Sequence, residues 1–196
     1  MFEFSHTSIF SELGTRIMSK SVKYGFASVS LKSIDSKKAL KEALEIGVPQ
    51  GARIALGKKD TKIRSVKLWR IPINIDSHIN DVLSKQGMLM ADAFGYHATE
   101  LIDIQYLEYH VGDNYDWHMD IDSNRDASKR KVSLSWLLND SFTGGDLEIQ
   151  IHNEIYKPLY KNTLVGFTSF LNHRVTEVQM GVRRAIVAWI TGSTWK

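Results

Sequence analysis

The segment Tyr115-Asp116-Trp117-His118-Met119-Asp120 sets an imidazole and a carboxylate two residues apart. Along a β-strand, residues i and i+2 share a face, so both side chains can reach one ion from a short piece of backbone. A further nitrogen ligand is available at His173, which follows the apolar, strand-like run Phe167-Thr168-Ser169-Phe170-Leu171-Asn172. The chain has no cysteine, so thiolate sites and disulfides are excluded and a transition metal must sit on His, Asp or Glu. Two imidazoles and one carboxylate on one face of an octahedron suit Fe(II) and leave the opposite positions free for a co-substrate and dioxygen. The pattern predicts a non-haem Fe(II) centre on His118, Asp120 and His173. Spacing alone leaves plainer readings open: a surface turn for His118 and Asp120, and a hydrogen-bonded core histidine for His173. His110 and His152 read as structural or surface residues.

Ligands on strands need a β scaffold, and from about Leu101 the sequence supplies one. Short β-rich segments at 102–110, 131–138, 146–151, 163–168, 174–179 and 183–191 are separated by turn signals. These signals are Gly112-Asp113-Asn114, Asn139-Asp140, Gly144-Gly145-Asp146, Asn153 and Gly181. Many short strands with regular turns predict a jelly roll. In the first half, Asp35 or Ser36 reads as the N-cap of a helix with Ala39, Leu40, Ala43, Leu44 and Ile46 on one face, ended by Gly47. A second helix starts near Asp76 or Ser77, carries Ile79, Val82 and Leu83, and runs toward Phe94. Between them, residues 63–71 alternate like a strand, where Arg64, Lys67 and Arg70 could line a site. The first 30 residues alternate too weakly to assign. The helices are expected to cover the outside of one sheet.

The bulk properties suit that plan. A chain of 196 residues, 43% hydrophobic and 24% charged, fits one compact domain. No apolar run approaches the ~18 to 20 residues that a membrane-spanning helix needs. Residues 1–10 lack a basic region followed by an apolar core, so no secretory signal is expected, and the absence of cysteine agrees with a cytoplasmic setting. Residues 1–70 hold 14 of the 25 Lys/Arg but only 6 of the 22 Asp/Glu. That imbalance admits an acidic partner or nucleic acid. A well-solvated lysine-rich exterior is the simpler reading, because no aromatic residues are interleaved for base stacking.

Residues 105–192 resemble the Fe(II)/2-oxoglutarate-dependent oxygenases, in their prolyl 4-hydroxylase-like branch with the PKHD-type hydroxylases. The resemblance is carried by Gln105-Tyr106-Leu107-Glu108-Tyr109, Gly112-Asp113, the segment from Tyr115 to Asp120, and Arg130-Lys131-Val132-Ser133-Leu134-Ser135. It continues through Gly144-Gly145-Asp146-Leu147-Glu148, His173-Arg174-Val175-Thr176-Glu177-Val178, Gly181-Val182-Arg183 and Trp189-Ile190. No match is seen for residues 1–60. The resemblance implies a mainly β (α+β) fold, a double-stranded β-helix or jelly roll. It would be one domain over residues 1–196, with an N-terminal strand and helix layer at 1–100 and the catalytic core at 101–196.

The resemblance further implies that His118, Asp120 and His173 hold Fe(II), with 2-oxoglutarate and dioxygen as co-substrates and ascorbate as an optional reductant. Arg183, ten residues after His173, falls where the family places the cation that grips the distal carboxylate of 2-oxoglutarate. Guanidinium suits that task through two parallel charge-assisted hydrogen bonds. Arg184 should point outward. Tyr109 corresponds to a tyrosine that hydrogen-bonds the co-substrate, and Ser133 to a small hydroxyl residue facing the same pocket. Leu137 replaces a tyrosine that some relatives use on the distal carboxylate, leaving Tyr109 or Ser133 as the second donor. Trp189 is read as pocket wall or plain core, and Gly144 and Gly145 as turn residues. The implied reaction hydroxylates an unactivated C–H bond, with a prolyl residue of a protein or peptide as the first candidate. Alternatives are a free amino acid or other small molecule, oxidative demethylation of nucleic acid, and a jelly-roll binding module without catalysis. The polar stretch 123–129 is expected to form a mobile lid.

Overall fold

The computed structural model describes residues 8–10, 16–21, 25–50, 66–121, 127–158 and 161–193. The start of the expected 63–71 strand, Arg64 with it, and most of the expected lid at 123–129 lie outside the described residues.

Two helices lie among strands. The strands are β1 (Ser8–Phe10), β2 (Arg16–Ser21), β3 (Phe26–Ser30), β4 (Val48–Gln50), β5 (Lys67–Arg70), β6 (Ala98–Tyr109), β7 (Tyr115–His118) and β8 (Arg130–Leu137). They continue with β9 (Phe142–Gly144), β10 (Leu147–Ile151), β11 (Glu154–Tyr156), β12 (Thr163–Thr168), β13 (His173–Val175), β14 (Val178–Gly181) and β15 (Arg183–Gly192). The helices are α1 (Ser33–Ile46) and α2 (His78–Ala93). Among the described residues the strands form a major sheet in the order β1-β2-β3-β12-β8-β15-β6-β5-β4, a minor sheet β11-β10-β13-β7, and the pair β14-β9. This is the expected double-stranded β-helix. The division expected at residue 100 falls inside β6, and β1 to β5 extend the major sheet at both edges.

The helices cover the outer face of the major sheet. Ile79, Leu83 and Met90 of α2 pack on Val132, Leu134, Trp136, Ile186, Ala188 and Ile190. Each such side chain contributes roughly 1.5–3 kcal/mol on burial. A second core, with Phe26, Leu107, Leu147, Ile149, Val165 and Phe167, lies between the sheets. Strand β8 is covered on both faces, which explains its nearly unbroken burial. Its even-numbered residues Val132, Leu134 and Trp136 serve the helix side, while Ser133 and Ser135 line a cavity between the sheets.

Helix α2 begins as its sequence predicts: Ser77 is the N-cap and its hydroxyl accepts from Asn80 N at 3.2 Å. Helix α1 begins earlier than expected, with Lys32 as N-cap. Asp35 sits within the first turn, and its carboxylate reaches back to accept from Lys32 N at 3.0 Å. The buried stripe of α1 is Ser36, Ala39 and Ala43, so the helix approaches the sheet on small residues, while Leu44 is 54% exposed. Gly47 ends α1 in an extended conformation, where a Cβ would stand 2.3 Å from Ala43 O; close approach, not a left-handed turn, selects glycine there. The segment expected as one strand at 174–179 is two, β13 and β14, in different sheets. The corner at Thr176 and Glu177 is held by Thr176 N to Asp146 O and Gly145 N to Glu177 O. The short strands β9 and β11 had no alternation long enough to register.

The helices are tied by the Asp35–His78 contact at 3.5 Å and by Glu42. The Glu42 carboxylate of α1 accepts from His78 N at 3.0 Å and Ile79 N at 2.9 Å, satisfying the first orphan donors of α2. Trp136 adds a bond from its indole Nε1 to Ser36 Oγ at 3.0 Å. Glu42→Ala should lower unfolding stability by about 1–2 kcal/mol, the size of a lost helix cap. Urea titration reads this, with exposed Lys41→Ala as a control that stays within about 0.5 kcal/mol. An unchanged midpoint for Glu42→Ala would remove the cap from the account.

Candidate active site

Strands β7 and β13 pair so that His118 stands directly opposite His173. Opposed residues on one face are close neighbours, and the two imidazole centroids are 4.2 Å apart. Asp120 follows β7 and is fixed by its backbone N–H to Ser169 O at 3.0 Å. One ligand atom from each of the three residues lies within 4.8 Å of the others. His118 Nε2 is 3.6 Å from Asp120 Oδ1, and His173 Nε2 is 3.4 Å from Oδ2. Donors around one ion at about 2.1 Å stand about 3 Å apart in cis positions, so small inward movements complete a metal site.

Both imidazoles are in the tautomer such a site needs. His118 Nδ1 bonds Asp116 O at 2.7 Å and His173 Nδ1 bonds Leu171 O at 2.9 Å. A carbonyl accepts only, so each Nδ1 carries a proton, and it is the Nε2 atoms on the Asp120 side that would offer a lone pair to a metal once neutral. Tyr115 stacks on His118 at 3.6 Å, and the Phe167 edge meets His173 at 4.7 Å. Burial alone would raise the Asp120 carboxyl, but the His173 charge, the His118 imidazole and the Ser133 hydroxyl prevail and hold it well below the ordinary carboxylate range. Burial lowers His173 below the ordinary histidine value, favouring the neutral, metal-binding form.

The major sheet supplies a second cross-strand pair. Arg183 at the start of β15 stands opposite Tyr109 at the end of β6, and its guanidinium carbon is 5.3 Å from the tyrosine ring centre. Arg183 is 2% exposed and Tyr109 also 2%. Among the described residues Arg183 has no ion pair, and its Nε is buried without a hydrogen-bond partner. Burial pulls its pKa down, partly offset by Tyr109 and Asp146, yet a guanidinium stays charged at neutral pH. Gly145 makes room beside it: its φ is +61°, and a Cβ there would meet Val178 Cγ2 at 3.0 Å and Arg183 Cδ at 3.1 Å. Arg184 points outward, as alternation requires, and its Nε meets Glu108 at 3.2 Å.

Arg183, Tyr109, His118, Asp120, His173 and Ser133 all line one cavity of 720 Å³. That size is within the roughly 300–1,000 Å³ usual for small-molecule sites. An unpaired buried cation at its wall fits a carboxylate ligand, and the three donors opposite fit a metal, so the donor set accepts both Fe(II) and 2-oxoglutarate. The Ser133 hydroxyl, read as facing the co-substrate pocket, lies 2.6 Å from Asp120 Oδ2. Leu137 is buried and takes no part in the cavity lining. Trp189 is cavity wall, and the Arg130 guanidinium stacks 3.8 Å above its ring.

The mouth was the least visible part in sequence. Asp103, at φ +51°, sits where the β6–β15 register shifts. Such bulges redirect a side chain, and here its carboxylate meets Arg70, Arg130 Nη2 at 3.3 Å and Gln105 Nε2 at 2.8 Å. Of the basic residues singled out between the helices, Arg70 lines the cavity. Nothing in the alternation of β6, which also carries Glu100 and Glu108, marks Asp103. Ser169 was likewise missed, lying in a turn whose partners are distant in sequence.

Fold and site resemble those of the prolyl 4-hydroxylase-like 2OG-Fe(II) oxygenases. Residues 104–191 match the 2OG-Fe(II) oxygenase superfamily. A PKHD-type hydroxylase of Parvibaculum lavamentivorans is 29% identical over 168 residues, covering 83% of this chain and 73% of that protein. The solved prolyl-4-hydroxylase of Pseudomonas putida superposes with a TM-score of 0.68 at 18% identity, covering 87% of this chain and 94% of that one. A Trichoplax adhaerens prolyl hydroxylase, solved with a hypoxia inducible factor peptide fragment, gives 0.69 at 23% identity, covering 86% and 84%. The likeness thus extends beyond the 105–192 block into the N-terminal half.

Titration of the EDTA-stripped protein with Mn(II) should show one saturable site. His118→Ala, Asp120→Ala and His173→Ala should each weaken it by more than about 100-fold, since even a lost supporting hydrogen bond costs about 10- to 100-fold. Undiminished binding in any of the three variants would remove that residue from the ligand set.

Proposed function

We propose that the chain is a prolyl hydroxylase-type dioxygenase acting on a prolyl residue of a peptide or protein. His118, Asp120 and His173 hold Fe(II), and Arg183 with Tyr109 grips the distal carboxylate of 2-oxoglutarate. The observation that carries this reading is the buried Arg183 guanidinium in the wall of the same cavity as the three metal donors. A buried charge without a partner is costly, and a dianion with one end at Arg183 and the other at the metal removes that cost. When bound, Fe(II) would activate dioxygen, the oxidant: one oxygen atom would enter the substrate C–H bond and the other the succinate formed, with carbon dioxide, from 2-oxoglutarate.

The protein's own part is orientation and shielding. Tyr115 and Phe167 fix the imidazole planes, and Leu107, Leu147 and Val175 keep the cavity wall apolar. The residues 1–196 act as a single oxygenase domain, since strands from both halves share the major sheet. The prolyl substrate is the reading that the named relatives favour, and the open mouth beside Met119, 54% exposed, suits an extended chain. No helix among the described residues is long and apolar enough to cross a membrane; the cytoplasm as working compartment rests on the lack of cysteine.

Arg183→Met keeps the side-chain length without the charge. It should raise the dissociation constant for 2-oxoglutarate about 10- to 100-fold, the equivalent of about 1.5–3 kcal/mol for hydrogen bonds to a charged group. Unchanged affinity would put the co-substrate elsewhere. For the substrate, proline-containing peptides incubated with the loaded enzyme should gain the mass of one oxygen atom on proline. Peptides left intact while a free amino acid or a methylated nucleoside is oxidised would overturn the prolyl assignment.

A further inference from the structure

A carboxylate can give a metal one oxygen or two, and distance alone does not decide which Asp120 gives. Oδ1 is 3.6 Å from His118 Nε2 and Oδ2 is 3.4 Å from His173 Nε2. Ser133 breaks this symmetry. Its Oγ lies 2.6 Å from Oδ2, a separation typical of a hydroxyl donating to an ionised carboxylate. Behind it, Ser169 Oγ is 3.1 Å from Ser133 Oγ. A hydroxyl has one proton. Ser133 is the donor on both contacts, and the shorter takes its proton, so Asp120 Oδ2 is the main acceptor and Ser169 Oγ the weaker one.

Neither hydroxyl has water to turn to, with Ser133 2% exposed and Ser169 0%. Ser169 also fixes the ligand's backbone: its carbonyl accepts Asp120 N–H at 3.0 Å, and its own N–H donates to Lys131 O at 3.0 Å. The turn after β12 and the strand β8 therefore hold Asp120 at both backbone and side chain. Neither serine touches the Arg183 end of the cavity.

We infer that Ser133 holds Asp120 as a one-oxygen ligand, with Oδ1 left for the metal and Oδ2 committed to the hydroxyl. The inference rests on the metal reading of His118, Asp120 and His173. An oxygen already accepting a strong hydrogen bond is a poorer donor to a cation, so the Ser133 hydroxyl selects Oδ1. A two-oxygen carboxylate would occupy a position that 2-oxoglutarate and dioxygen need. Ser133 is thus a positioning residue, acting through Asp120.

The test compares wild type, Ser133→Ala, Ser133→Thr and Ser169→Ala for Mn(II) affinity by electron paramagnetic resonance, and for the visible absorption of the Co(II) forms. Thermal melts of the metal-free proteins establish that each folds. Ser133→Ala should bind Mn(II) about tenfold more weakly, within the range for a lost supporting bond, with a Co(II) spectrum altered toward higher coordination. Ser133→Thr should restore both, and Ser169→Ala, which leaves the Ser133 proton to Asp120, should keep both; if Ser133→Ala does not fold, Ser133→Cys, a weaker donor, carries the test with a smaller loss in the same direction. Wild-type affinity and spectrum in Ser133→Ala, or equal damage in Ser133→Thr, would overturn the inference and leave the metal reading standing. Absence of saturable Mn(II) binding in the wild type would overturn both.

Discussion

The antiparallel pairing of β7 with β13 is the contact on which the rest of the site depends. It sets His118 opposite His173, and the two strands are far apart in sequence. Side chains alternate along a strand, so a slip of one residue would turn either histidine to the other face and dissolve the donor set. The register is locked from several directions. Strand β13 also pairs with β10, with Ile149 opposite His173, and Ile149 is fully buried in the core between the sheets. Asp120 is fixed beyond the end of β7 by Ser169. The apolar core thus sets the geometry of a polar site that could not assemble by itself.

The same device recurs across the cavity. Arg183 and Tyr109 form a cross-strand pair in the major sheet, facing the histidines of the minor sheet. Each sheet contributes one half of the site, and the distance between sheets sets the span that a bridging ligand must cover. Holding a guanidinium at 2% exposure without an ion pair lowers the stability of the metal-free fold. A ligand that neutralises it stabilises the folded state in proportion to its binding. Co-substrate affinity and fold stability are therefore linked through Arg183, while the outward Arg184 is paired with Glu108 and takes no part.

Much of this was legible in sequence because the decisive patterns are local. His118 and Asp120 stand two residues apart and reach one site, although Asp120 lies just past the end of β7; Arg183 and Arg184 separate by strand alternation, and Ser77 caps α2 through its own hydroxyl. What escaped was set by contacts between distant segments. The corner at Thr176 and Glu177 exists because Asp146 and Gly145 bond it, so no local signal divides β13 from β14. The Leu44 position looked apolar and helical, but α1 meets the sheet on alanines and leaves it outside. The bond from Ser133 to Asp120, and its neighbour Ser169 36 residues away, become visible only in the fold. Asp103 needed a register shift between β6 and β15 to enter the mouth, and alternation cannot forecast a bulge.

The most direct measurement is anaerobic addition of Fe(II) and 2-oxoglutarate, followed by visible absorption. Chelation of the 2-oxo acid by the metal gives a weak charge-transfer band only when both groups share one site. The account predicts this band in the wild type, its loss in His173→Ala, and its appearance only at much higher 2-oxoglutarate concentration in Arg183→Met. No band in the wild type, or a band that survives His173→Ala undiminished, would contradict a shared metal and 2-oxoglutarate site between the two sheets.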